Sequence, residues 1–181
     1  EQAADEDGTA VDVVGHSLGA VIAALAARDL GPSRVGQVTL LAPPYGRNAN
    51  VPGPLVRFLL VHKLIPDFIT RPQFFTRHTP KHIQKSVFSR AEDETAALSA
   101  HLFSPTRFHT DMFDDRLSVP ALVVASEADR IVPAGESRAF AEVLGAELEV
   151  FGEERGIGHD DLACSPTVAR EVADRVGRFG A

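Results

Sequence analysis

The pentapeptide Gly15-His16-Ser17-Leu18-Gly19 follows a β-branched run at residues 11–14 and leads into an alanine-rich stretch at 20–30; no other feature constrains this chain as strongly. A serine alcohol is a poor nucleophile unless its oxygen stands clear of the backbone and a base can take its proton. A sharp turn from strand to helix provides that exposure, and glycines two residues on either side relieve the crowding. The following helix would aim its positive end at a developing oxyanion, with the Leu18 backbone N–H placed as one donor. His16, beside the serine, reads as a packing residue of the turn.

The rest of the chain supplies a setting for that turn. Residues 11–14 read as a strand covered on both faces, and 20–30 as a helix buried on nearly every face and stopped by Gly31-Pro32. Residues 37–42, 121–126 and 147–151 read as further strands. Pro133 opens a helix that runs to about Leu144 and stops at Gly145, and a last helix covers 167–179. Strands alternating with helices predict an α/β fold with a parallel sheet. Residues 45–118 break the alternation: they look helical, at 55–64, after Thr79-Pro80, at 92–102 and after Ser104-Pro105. The expected domain plan is therefore core at 1–44, a helical insertion at 45–118 and core again at 119–181.

Two polar residues stand out against that plan. Asp129 follows the strand at 121–126 and His159 follows the strand at 147–151, so both fall at carboxyl ends of sheet strands, where parallel α/β proteins place their sites. In chain order Ser17, Asp129 and His159 each have a strand of their own. Read singly, Asp129 is a loop carboxylate and His159 a surface histidine; read together with the serine turn they form a nucleophile, an acid and a base. Glu127 is an alternative acid, closer to the strand end. His78 and His82 are four residues apart, but Pro80 starts a helix between them, which argues against a metal pair. No metal and no cofactor is implied.

Composition narrows the class. The chain has 181 residues with 44% hydrophobic and 24% charged side chains, enough for one folded domain and too apolar for a disordered one. Its one cysteine, Cys164, excludes an intrachain disulfide and reads as a small, partly buried residue. No run approaches about 18 consecutive apolar residues.

At this point the chain resembles the α/β-hydrolase superfamily, in the branch with a helical cap inserted between two sheet strands. The resemblance rests on Gly-His-Ser17-Leu-Gly, on the acid loop ending in Val132-Pro133, and on Gly158-His159 with Pro166 seven residues on. It implies a partial parallel sheet equivalent to strands 5–8 of that fold, with Ser17, Asp129 and His159 as nucleophile, acid and base. Relatives have four strands before the nucleophile strand and a loop there that supplies a second oxyanion donor. Only ten residues precede Val11, so strand 11–14 is expected to be an open edge, and the sequence is expected to be a C-terminal fragment. Many relatives carry a glutamate where Cys164 stands.

What the resemblance implies is a serine hydrolase cleaving carboxylic esters of a small-molecule acyl substrate. Thioesterase, acyltransferase and cofactor-free perhydrolase chemistry on the same residues stay open, as does an inactive, ligand-binding module. Charge offers the one hint about substrate. Residues 1–44 carry −4, 45–90 carry +7 and 91–181 carry −10. Aromatic residues lie within the basic stretch; they read first as side chains of a cap packed on the domain below with its charges solvated, and alternatively Tyr45, Phe58, Phe74 and Phe75 line an acyl pocket. A basic rim could attract anionic substrates or an anionic membrane surface; the acidic chain as a whole and its lack of a binding motif argue against nucleic acid.

Overall fold

The computed structural model describes residues 9–47, 53, 58, 64–90, 106–107, 112–113 and 116–179. Four strands form one sheet: β1 (Val11–His16), β2 (Val35–Leu41), β5 (Ala121–Ser126) and β6 (Glu147–Phe151). They lie in the order β1-β2-β5-β6 and every neighbouring pair is parallel. Between β1 and β2 runs α1 (Leu18–Leu30); between β5 and β6 runs α4 (Ala134–Leu144), ended by Gly145 in the left-handed conformation. After β6 come a 3₁₀ turn at Glu153–Arg155, the short α5 (Asp161–Cys164) and α6 (Pro166–Phe179). The alternation read from the sequence is present, with strands and helices one or two residues longer than expected at several ends.

The period-2 geometry of a strand sends alternate residues to opposite faces, and the two cores follow from it. On one face Val38, Leu40, Ala121 and Val123 pack under α1 and α4 with Phe140 and Leu144. On the other, Leu41, Leu122, Val124 and Phe151 meet Ile157, Leu162 and the Val168–Val172 stripe of α6. Each large buried side chain among these stabilises the fold by about 1.5–3 kcal/mol.

Two expectations about burial need correction. Strand β1 is covered on one face only among the described residues, with Val14 60% exposed, and α1 leaves Ile22 58% exposed. The sequence pattern reports how apolar a segment is; how many neighbours reach it depends on strand order, and β1 is at the edge of this sheet. Among the described residues no strand pairs with the other side of β1.

The segment between β2 and β5 contains α2 (Asp67–Phe74) and α3 (Lys81–Arg90). It also contains a two-residue antiparallel pair, β3 (Gly46–Arg47) with β4 (Thr106–Arg107), so this stretch is not purely helical as expected. Residues this short carry no periodicity by which a strand could be read. Most of 55–64, and the helix and cap expected at 92–105, lie outside the described residues.

Candidate active site

The carboxyl ends of β1, β5 and β6 converge, and each carries one of the three polar residues singled out in the sequence. Ser17 stands between β1 and α1 with φ 54° and ψ −126°, one of two non-glycine residues at positive φ among the described residues. Such a conformation costs about 1–3 kcal/mol and persists only where its surroundings impose it. Here the Ser17 N–H donates to Leu41 O at 2.8 Å and Ser17 O accepts from the Ala20 N–H at 2.9 Å, pinning the turn from both sides. The other such residue, Ala42 at φ 45°, lies next to it at the end of β2. Gly15 is required by close approach: a Cβ there would lie 2.4 Å from Gly19 O and 2.6 Å from Ala20 Cα. The matching argument for Gly19 does not hold among the described residues, since a Cβ on it would meet nothing within 4 Å. Leu18 is the first residue of α1, so its N–H has no acceptor within the helix.

Asp129 and His159 are both buried and share a 2.7 Å hydrogen bond from His159 Nδ1–H to Asp129 Oδ2. The other carboxylate oxygen accepts the N–H groups of Ile131 and Val132 at 2.8 and 2.9 Å. The carboxylate is thereby fixed at both oxygens, and in a neutral ring with its proton on Nδ1 facing Asp129, Nε2 keeps its lone pair. Ser126 joins the two loops, donating to Ile157 O at 2.8 Å while accepting from the Ala128 N–H. Among the described residues no hydrogen bond joins Ser17 Oγ to His159; the link between the elbow and the imidazole runs through His16. The His16 and His159 rings lie 4.7 Å apart, and His16 Nε2–H donates to His159 O at 3.1 Å.

The electrostatics of this cluster are those of a buried place. Burial, with the neighbouring His159, holds His16 down at about 4, so it is neutral and serves as a donor. Burial pushes the Asp160 carboxyl up to about 6. His16, His159 and Asp160 could together present ligand atoms to a metal ion, a grouping the sequence spacing did not single out. Burial also raises the Cys164 thiol, aided by Asp160 and Asp161, which keeps it protonated and poorly nucleophilic.

The remaining candidates separate. Glu127 pairs with Arg138 at the surface. His78 donates to Arg155 O at 2.7 Å, while His82 is exposed. Of the aromatic residues assigned to a pocket, Phe74 meets the imidazole, edge-on at 6.3 Å between centroids. Phe75 is buried and packs 6.0 Å from Phe88. Tyr45 is not a lining residue: it is 3% exposed and packs 4.9 Å from Phe140 in the core. Phe58 is 53% exposed. Composition marks where aromatic side chains cluster, and it carries no information on which way each one faces. The sequence reading missed Asp161, a fully buried carboxylate two residues after His159; the one signal available was the acidic pair directly after the histidine.

A model of the alpha/beta hydrolase family matches residues 1–175. Among solved structures, a bromoperoxidase from Bacillus anthracis superposes with a TM-score of 0.70 at 18% identity, covering 96% of this chain and 68% of that one. An esterase from Exiguobacterium antarcticum gives 0.69 at 18%, with 96% and 68% covered. A monoacylglycerol lipase from Paleococcus ferrophilus gives 0.64 at 17%, with 97% and 70% covered. The chain thus spans about two thirds of the length of these structures. No curated protein matches its sequence.

Proposed function

Since the chain belongs to the alpha/beta hydrolase family, we propose that the protein is a serine hydrolase of carboxylic esters, with Ser17 as nucleophile, His159 as base and Asp129 as the acid that orients it. The observation that carries this reading is the buried 2.7 Å bond from His159 Nδ1 to Asp129, one ring contact away from a serine in the strained strand-to-helix turn.

In this reading His159 Nε2 takes the proton from Ser17 Oγ as the oxygen attacks the acyl carbonyl. Asp129 stabilises the imidazolium so formed, and the Leu18 N–H, at the positive end of α1, donates to the oxyanion. The imidazolium returns its proton to the leaving alcohol as the carbon–oxygen bond breaks, which leaves Ser17 acylated. Water, deprotonated by the same Nε2, then attacks the acyl group; the acid departs and Ser17 regains its proton.

The test is p-nitrophenyl ester turnover by the intact protein against a Ser17→Ala control, together with labelling by a fluorophosphonate probe. Turnover and labelling that both vanish in the control are expected. Equal rates in the two proteins would overturn the reading, and failure of Ser17 to label would favour a module that binds without catalysis. Peroxide in place of water at the second step would make the same acyl-enzyme a perhydrolase, and peracid formation measured in the same assay separates that chemistry.

A further inference from the structure

Asp161 is 0% exposed and has no cation beside it among the described residues. Its carboxylate is satisfied by donors alone, and those donors come from two parts of the chain. Oδ2 accepts the Thr76 N–H at 3.1 Å, the Thr76 hydroxyl at 2.5 Å and the Gly158 N–H at 2.9 Å. Oδ1 accepts the Thr79 hydroxyl at 2.6 Å. Thr76 and Thr79 belong to the turn between α2 and α3, whereas Gly158 precedes His159. One buried charge therefore bolts the segment that connects two helices of the insertion to the loop that carries the base. Charge-assisted bonds of this kind are the strong ones, and removing the acceptor leaves buried donors unpaired.

The contacts around it run the same way. The Asp160 N–H donates to Phe74 O at 2.9 Å, and Ser165 Oγ donates to His78 O at 2.8 Å. The approach is close enough that a Cβ on Gly158 would lie 2.9 Å from Phe74 O and from Thr76 Cγ2. Through this contact Phe74 is held edge-on to His159.

We propose that Asp161 is a positioning residue that sets His159 and the Phe74 wall in one fixed relation, so that the edge of the acyl site nearest the base is built as part of the histidine loop. The acyl-site half of this rests on the ester-hydrolase reading; the clamp itself does not. Asp161→Asn replaces one acceptor oxygen by a donor facing donors, and Thr79→Val removes a single bond and guards against a variant that fails to fold.

Two measurements on the intact protein read the clamp whether or not esters turn over. Amide exchange in Asp161→Asn is expected to accelerate at least 10-fold at residues 74–79 and 156–160 together, while α4 and β5 keep their protection. The downfield Nδ1–H resonance of His159 is expected to shift or broaden. Unchanged exchange at both segments in both variants would overturn the clamp. For the acyl wall, kcat/KM on hexanoyl and acetyl p-nitrophenyl esters should fall about 10-fold or more in Asp161→Asn, with the larger loss on hexanoyl, and in the same direction but less in Thr79→Val. A loss equal on both esters and matched by the unfolded fraction would assign Asp161 a purely structural role. Absence of ester turnover in the wild-type protein would instead sink the ester reading, with exchange still deciding the clamp.

Discussion

Replacing Asp160 by asparagine should reverse a balance built into the site between two half-buried groups of opposite habit. His16 is held at about 4 against an ordinary 6.5, and the side chain is 25% exposed. Between those values the unfolded chain binds a proton that the folded chain refuses, so stability is full above pH 6.5 and is lost as pH falls towards 4. Asp160 is held at about 6 against an ordinary 3.8, with 19% exposure. Between those values the folded chain keeps a proton that the unfolded chain has released, so stability is full below pH 3.8 and is lost as pH rises to 6. At about 1.4 kcal/mol per pH unit, each effect amounts to about 3 kcal/mol over its window, and between pH 4 and 6 the two cancel. Relative to wild type, Asp160→Asn should gain about 3 kcal/mol from pH 4 to pH 6. His16→Gln, relative to wild type, should lose about 3 kcal/mol of its advantage from pH 4 to pH 6.5. Urea unfolding followed by far-ultraviolet circular dichroism at half-unit steps of pH gives both differences, and the slopes of all other carboxylates drop out of them. A difference curve for Asp160→Asn flat to within about 0.5 kcal/mol would refute the claim that burial governs this carboxyl.

The two acids after β5 can be told apart by activity. Asp129→Asn should lower kcat/KM on p-nitrophenyl esters by about 10⁴-fold, because an amide no longer holds the Nδ1 proton in place, while Glu127→Gln, which touches the surface Arg138, should stay within about 3-fold. A large loss in Glu127→Gln would reassign the acid. Gly15→Ala pushes a methyl into the backbone of Gly19 and Ala20, atoms that cannot swing aside, and should destabilise the protein by about 3 kcal/mol or more in the same urea assay. Wild-type stability in that variant would contradict the packing of the elbow.

Much of the fold was legible because its signals are local. A β-branched strand running into Gly-x-Ser-x-Gly, a proline before Ala134 and a glycine after Leu144 each act over a few residues, and each element formed where those residues stand. Asp129 and His159 could be placed because a parallel sheet sends every strand's carboxyl end to the same edge, so position after a strand already says where a loop residue lies. Partners distant in sequence were not legible. Tyr45 and Phe74 are both aromatic residues of the same stretch, yet one packs under Phe140 and the other against His159. Which of them borders the imidazole depends on where the turn after α2 docks.

That docking is itself decided by a residue with no local signature. Asp161 sits in a four-residue helix, follows another aspartate, and by composition alone belongs on the surface. It is buried because Thr76, Thr79 and Gly158 bring four donors to it, and those donors come from segments about 80 residues apart. A buried carboxylate is tolerable only where donors surround it, and these donors meet it only with the two segments together, so neither half is meaningful in sequence without the other. The same interdependence explains why His159 is not a surface histidine. Its ring is enclosed by His16 from the elbow and by Phe74 from the insertion, which leaves it 2% exposed.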